Sequence, residues 1–283
     1  MSHVHALVTD ASSERALARQ SLGPHITLYP GTWKDPSTIK IAASGCRALL
    51  LNQLPSFLDD AEVQEARVVL EIAKEVGVQH VIFTLTVPLN NPNVREDLKD
   101  SAAAPAVLNK GDVEELVKAS EMMWTLLRPG WFMTNLLPPL VYWMFPEVKE
   151  GRFVNSYGPD CLMDLIDPDD FHGQTITLVA GNVRLDDMVK ELAETSGQSL
   201  TAIYRTKEET EQAKSNPFVA GQLLSIGMDE LVDLEEATRW GVPLTSFKQF
   251  LETHRDEFAG VKGSQGADTF TMTYADSLIS GKE

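Results

Sequence analysis

At 283 residues and a formal net charge of −17, the chain can form one large domain or a domain with a smaller appendage. So acidic a balance argues against nucleic acid, whose phosphates would be repelled without a dedicated basic patch, and no such patch is visible. No apolar run approaches the roughly 18 residues of a membrane span, the first residues lack a signal-peptide pattern, and Cys46 and Cys161 have no metal-type spacing. A cytoplasmic globular protein is therefore expected, with neither nucleic acid nor membrane as partner.

In chain order, residues 4–8 read as a short apolar strand. Ser12 or Ser13 then caps a helix to about residue 21. Residues 25–29 form a second strand closed by Pro30-Gly31, and Asp35-Pro36-Ser37 opens a helix through residue 43. The run 48–51 suits a strand buried on both faces. A helix over 60–75, apolar at Val63, Ala66, Val69, Leu70 and Ala73, ends at Gly77 and leads to a strand over 80–85. Residues 88–107 are polar and proline-bearing and read as a surface loop. A helix over 110–120 and a strand over 124–127 follow, and Arg128-Pro129-Gly130 turns the chain away. Strand–helix–strand order with short connections indicates a parallel, doubly wound α/β sheet.

After residue 130 the character changes. Residues 131–145 are dense in aromatics, Met and Leu. Strands are expected over 174–179 and 200–204, and helices over 185–195, 207–214, 217–232 and 246–258. The expected organisation is a Rossmann-like domain over 1–130, a smaller C-terminal α+β lobe over 131–262, and a tail over 263–283.

The run Trp124-Thr125-Leu126-Leu127-Arg128-Pro129-Gly130-Trp131-Phe132-Met133-Thr134-Asn135 resembles the NmrA-like branch of the atypical short-chain dehydrogenase/reductases. Three further segments are similar in order and spacing: Val78–Phe83, Lys110-x-x-Val113-Glu114-x-x-Val117, and Leu165–Asp170. The resemblance implies a Rossmann-like domain, a small C-terminal lobe and a ligand cleft between them. It also implies that NAD(P)H is used by reductases or by redox-sensing regulators.

The sequence departs from that pattern. Thr9-Asp10-Ala11-Ser12-Ser13-Glu14-Arg15-Ala16 contains no glycine, although a dinucleotide loop needs glycines to let backbone N–H groups approach a pyrophosphate. Residues 4–23 align with the family's second strand and helix, which would leave out the first strand, loop and helix. The alternative alignment makes 4–8 a first strand with a degenerate loop. Where relatives carry an Arg for the NADP 2′-phosphate stand Thr9 and Asp10, the only cofactor-binding candidates. The Tyr of a Tyr-x-x-x-Lys pair would fall at Ala106, and the segment after Asp170 is shortened. These departures lead to the expectation of no resident cofactor, or of NAD(P)H held in an altered site.

Lys110 and Thr86 are the candidate catalytic residues, the lysine as acid, base or electrostatic clamp against the null of a solvated first-turn lysine. Asn52, Thr84, Trp131, Phe132, Met133 and Asn135 are candidates for substrate binding. Threonine is a good strand former, and aromatics at this spacing are more often core; Asn135 also suits a helix cap. Arg128 is expected to pair with a carboxylate. The carboxylates and histidine of 160–172 are not expected to form a metal site. The sequence reading is a small-molecule enzyme that isomerises, cyclises or eliminates an apolar substrate without cofactor. The alternatives are an NAD(P)H-dependent oxidoreductase or a non-catalytic regulator, and a homodimer is a plausible assembly.

Overall fold

The computed structural model describes residues 3–85, 98, 100–166, 175–227, 229, 232–239 and 244–259. Its first half is a parallel α/β layer structure. Strand β1 (Val4–Val8) leads through α1 (Glu14–Gln20) to β2 (Ile26–Pro30), and α2 (Pro36–Ala43) leads to β3 (Ala48–Leu51). Helix α3 (Ala61–Glu75), β4 (His80–Thr84), α4 (Ala104–Ala119) and β5 (Met123–Pro129) follow. The strands β3, β4 and β5 lie side by side and parallel, with β9 (Thr175–Leu178) beyond β5.

Alternate residues of these strands build the core. Leu51, Val81, Phe83 and Leu126 pack against Ala66, Val69 and Leu70 of α3 and Val113 and Val117 of α4. The strand over 48–51, expected to be buried on both faces, is covered on one only: Leu51 is buried while Ala48 and Leu50 are exposed, whereas β4 alternates buried and half-buried residues. Helix α3 buries the stripe Glu62, Ala66, Val69, Leu70 and Ala73, which follows the helical repeat of 3.6 residues.

The sheet is interrupted. Strand β1 pairs only with β2, in parallel from Val4↔Ile26 to Val8↔Pro30, and among the described residues no ladder joins β1 to β3. Leu7 of β1 nevertheless packs into the same apolar cluster as Leu49 and Leu51 of β3. The two strands thus share a core layer while each keeps one edge without a strand partner. Leu50 of β3 is 55% exposed on the opposite face.

The second half has its own core. After β6 (Trp131–Phe132) come α5 (Leu140–Met144), β7 (Arg152–Asn155), β8 (Leu162–Ile166) and β10 (Gly181–Arg184). Helix α6 (Leu185–Ser196), β11 (Thr201–Tyr204), α7 (Lys207–Ala213), α8 (Pro217–Leu224), α9 (Leu234–Arg239), α10 (Phe247–Thr253) and α11 (Arg255–Ala259) complete it. Strand β8 lies between β10 and β6, and β11 pairs in parallel with β7. Met133, Phe145, Phe153, Leu185, Met188 and Phe250 form the centre of this lobe.

Several expectations shift. Helix α4 starts at Ala104, inside the stretch read as a loop, because Ala102-Ala103-Ala104-Pro105-Ala106 supplies helix formers and a proline in the first turn. The helix expected over 217–232 stops at Leu224, ahead of Gly227 with φ +77°. That over 246–258 is split at His254, whose Nδ1 lies 2.6 Å from Glu257 Oε1. Strands β7, β8 and β10 are too short and mixed to carry a legible period.

Candidate functional site

Open parallel sheets bind ligands beyond the carboxyl ends of their strands, at the place where strand order reverses. The ends of β3 and β4 lie at that carboxyl edge, although the strand order β3-β4-β5-β9 does not reverse between them. Residues Asn52 and Gln53 follow β3, and Thr84 ends β4. Lys110 reaches this edge from α4. Its Nζ donates to the Gln53 carbonyl at 2.8 Å, lies 2.6 Å from Glu62 Oε1, and sits 5.6 Å from the centre of the Phe83 ring. The null of a solvated surface lysine is therefore corrected: the Lys110 side chain is 11% exposed and that of Glu62 fully buried.

The surroundings are held by a second set of contacts. Gln53 Nε2 donates to the Glu62 carbonyl at 3.0 Å, and Asn109 Nδ2 donates to the Asp59 carbonyl at 2.7 Å. Burial pushes the Glu62 carboxyl above its ordinary range, and the Lys110 charge, the Lys110 contact and the Ser56 N–H oppose that shift. The pairing with Lys110 is Coulombic more than directional. Neither Glu62 oxygen meets a donor at full hydrogen-bond geometry, nor does Gln53 Oε1. Sequence reasoning passed over Glu62, although a carboxylate four residues before Ala66 and seven before Val69 stands on the buried face.

Other candidates fall into different places. Asn52 is exposed and Thr84 half-buried, while Thr86 and residues 167–172 lie outside the described residues. Among the described residues no cluster of ligating side chains suits a metal ion. Met133 is buried at 1% exposure in the second core, so packing accounts for it without a ligand. Trp131 packs against that core and hydrogen-bonds the buried Tyr157 hydroxyl, whose pKa burial raises. Phe132 is 38% exposed. Asn135 lies inside a 3-10 turn (Met133–Leu136) and caps nothing; Pro139 precedes α5.

From the wider aromatic run, Trp143 meets Phe218 of α8 edge-on at 4.6 Å. Phe218 also lies 6.4 Å from Phe57, in the loop between β3 and α3, so these rings bridge the two halves. Arg128 Nη2 donates to both Glu114 carboxylate oxygens, at 2.8 and 2.9 Å, as expected of a strand-end arginine paired with a carboxylate.

The glycine-free turn is also defined. Asp10 Oδ1 accepts from the Ser12 N–H at 2.8 Å and from its hydroxyl at 2.6 Å, and these bonds hold the Asp10 carboxyl below its usual range. Ser13 caps α1 by accepting from the Ala16 N–H at 3.3 Å. A carboxylate is thus fixed at the end of β1, beside the first helix. Thr9 is exposed.

Comparison with known proteins bears on this geometry. The fold is similar to that of Citrobacter sp. triphenylmethane reductase complexed with NADP(H), at a TM-score of 0.64 and 17% identity over 88% of this chain and 89% of that one. It is equally similar to Nmra, a negative transcriptional regulator, in complex with NAD (TM-score 0.64, 16% identity, 95% and 91% covered). Quinone oxidoreductase 2 of Escherichia coli is 24% identical over 82% of this chain and 76% of its own length. A (4-alkanoyl-5-oxo-2,5-dihydrofuran-3-yl)methyl phosphate reductase of Streptomyces griseus is 23% identical over 62% of this chain. The match spans 57% of that reductase's length. The doubly wound α/β, Rossmann-like fold with a C-terminal region is thereby established.

Two expectations are overturned. A non-redox isomerase, cyclase or eliminating enzyme finds no counterpart among these reductases. The expectation of no cofactor fails as well, and a match starting at residue 2 gives no support to a missing first strand. Residues 2–139 match the family described as NAD(P)H-binding.

Proposed function

We propose that the chain is an NAD(P)H-dependent oxidoreductase of small apolar organic molecules, with its dinucleotide held in an altered way at the phosphate end. The observation that carries this reading is the NAD(P)H-binding family match over 2–139, which coincides with the parallel sheet whose carboxyl edge presents Lys110. The residues suit the two ends of a dinucleotide differently. Gln53, Thr84 and Lys110 give a polar edge above the Phe83 ring that suits the nicotinamide half. The phosphate half lacks its usual glycine cradle, and the interruption between β1 and β3 lies where that cradle would stand.

When bound, NAD(P)H would supply a hydride. The chain's own part is to orient and to hold charge. Lys110, whose Nζ donates to the Gln53 carbonyl, presents a cation at the edge where negative charge would build on a reduced substrate. Asp10 places a negative charge at the end of β1, which favours the ribose hydroxyl of NADH over the 2′-phosphate of NADPH.

The test is oxidation of NADH and NADPH by the purified chain in the presence of quinones and of apolar cationic dyes, followed by loss of reduced-nicotinamide absorbance. Acceptor-dependent oxidation that Lys110→Met abolishes is the expected result. A chain that oxidises neither nucleotide with any acceptor contradicts the reading.

A further inference from the structure

The buried carboxylate behind Lys110 has no part in the function proposed so far. Glu62 stands in the first turn of α3 with its side chain fully buried, on a face otherwise made of Ala66, Val69, Leu70 and Ala73. A carboxylate is costly there unless it is paired, and among the described residues the cation brought to it is Lys110, at 2.6 Å. Gln53 Nε2 donates to the Glu62 carbonyl while the Gln53 carbonyl accepts from the Lys110 ammonium, so Gln53, Glu62 and Lys110 form one buried cluster in which Lys110 supplies the positive charge.

The position of the ammonium has a second consequence. Ala106 stands one helical turn before Lys110 and offers no hydroxyl. The groups that direct Lys110 come instead from α3 and from Gln53, two residues past the end of β3. Glu65, one turn further along α3, is the other acidic group acting on Glu62, and it accepts from Gln53 Nε2 at 3.4 Å.

We propose that Glu62 is the positioning residue of the site: through its buried contact with Lys110, and with the Gln53 carbonyl, it holds the ammonium at the carboxyl edge of the sheet. The proposal deepens the oxidoreductase reading and rests on it for its catalytic consequence, while the contact can be tested without nucleotide.

The experiment is competitive acylation of the whole chain with acetic anhydride across a pH series. Modification of Lys110 is read by peptide mass spectrometry in wild type, Glu62→Gln and Glu62→Asp. Removing the carboxylate should raise the labelling of Lys110 about tenfold at a fixed pH, because the ammonium loses the contact that holds it. Glu62→Asp should restore most of the wild-type profile, and it keeps the test usable if the glutamine variant folds poorly. Identical Lys110 profiles in all three proteins would overturn the proposal.

In parallel, Glu62→Gln should lower kcat about tenfold for NAD(P)H oxidation and leave KM for the nucleotide within about twofold, since the group acts through Lys110. Equal losses in Glu62→Gln and Glu62→Asp, tracking thermal stability alone, would reduce Glu62 to a packing role and overturn the proposal. A wild-type chain that oxidises no nucleotide removes the oxidoreductase reading, while the labelling series still decides whether Glu62 holds Lys110.

Discussion

Arg128 and Glu114 illustrate how single side chains hold this fold together. The pair, in which Arg128 Nη2 donates to both carboxylate oxygens, is nearly fully buried, with Lys118 adding a second cation 2.6 Å from Glu114 one turn along α4. Replacing Glu114 by Ala leaves Arg128 buried without its carboxylate, and removing one partner of such a pair costs about 3–5 kcal/mol. Urea unfolding of Glu114→Ala should show that loss, and a change below about 1 kcal/mol would mean that solvent reaches the pair. Asp10 carries a prediction of the opposite kind. Its charge is fixed by Ser12 at the end of β1, so Asp10→Ala should leave stability almost unchanged and improve NADPH binding relative to NADH several-fold. Titration of both nucleotides checks it, and an unchanged ratio would place the 2′-position elsewhere.

At the scale of elements, local signals wrote much of the fold plainly. Asp35 caps α2 by accepting from Ser37 and Thr38, which was legible as Asp-Pro-Ser. These hydrogen bonds hold its carboxyl at about 2, against 3.8 for the ordinary group. A lowered folded-state pKa means that the stabilisation is complete above about pH 3.8 and is lost as pH falls through about 2. The stability gap between wild type and Asp35→Ala should therefore be constant near neutrality and close across that acid window in denaturation curves; a gap that persists below pH 2 would show that charge is not its source. Gly151 makes a sharper demand. It has φ +78°, and a Cβ there would lie 2.6 Å from the Ser199 carbonyl oxygen where the chain enters β7. Gly151→Ala should cost at least the roughly 1–2 kcal/mol of a left-handed residue, read as a lowered thermal midpoint. Strands such as β7 and β10 stayed hidden, since four residues set by long-range pairing leave no periodic pattern. Glu62 was hidden for a different reason: its value depends on Lys110, 48 positions away in the chain and supplied by another helix.

For the whole molecule, the Phe218 ring joins the two halves by meeting Trp143 on one side and Phe57 on the other. The α/β class and parallel order followed from alternating strand and helix patterns, and Lys110 stood out from its motif. The sequence reading went wrong on the cofactor. The missing glycines describe one way of holding a pyrophosphate, and the reading extended that absence to the whole nucleotide site. The family match over 2–139 and the retained carboxyl edge with Lys110 argue for a site rebuilt at one end. The most direct test is calorimetric titration of the purified chain with NADH and NADPH. Saturable binding in the micromolar range, with one nucleotide per chain, is the predicted result. No heat and no tryptophan quenching with either nucleotide at millimolar concentration would contradict the account.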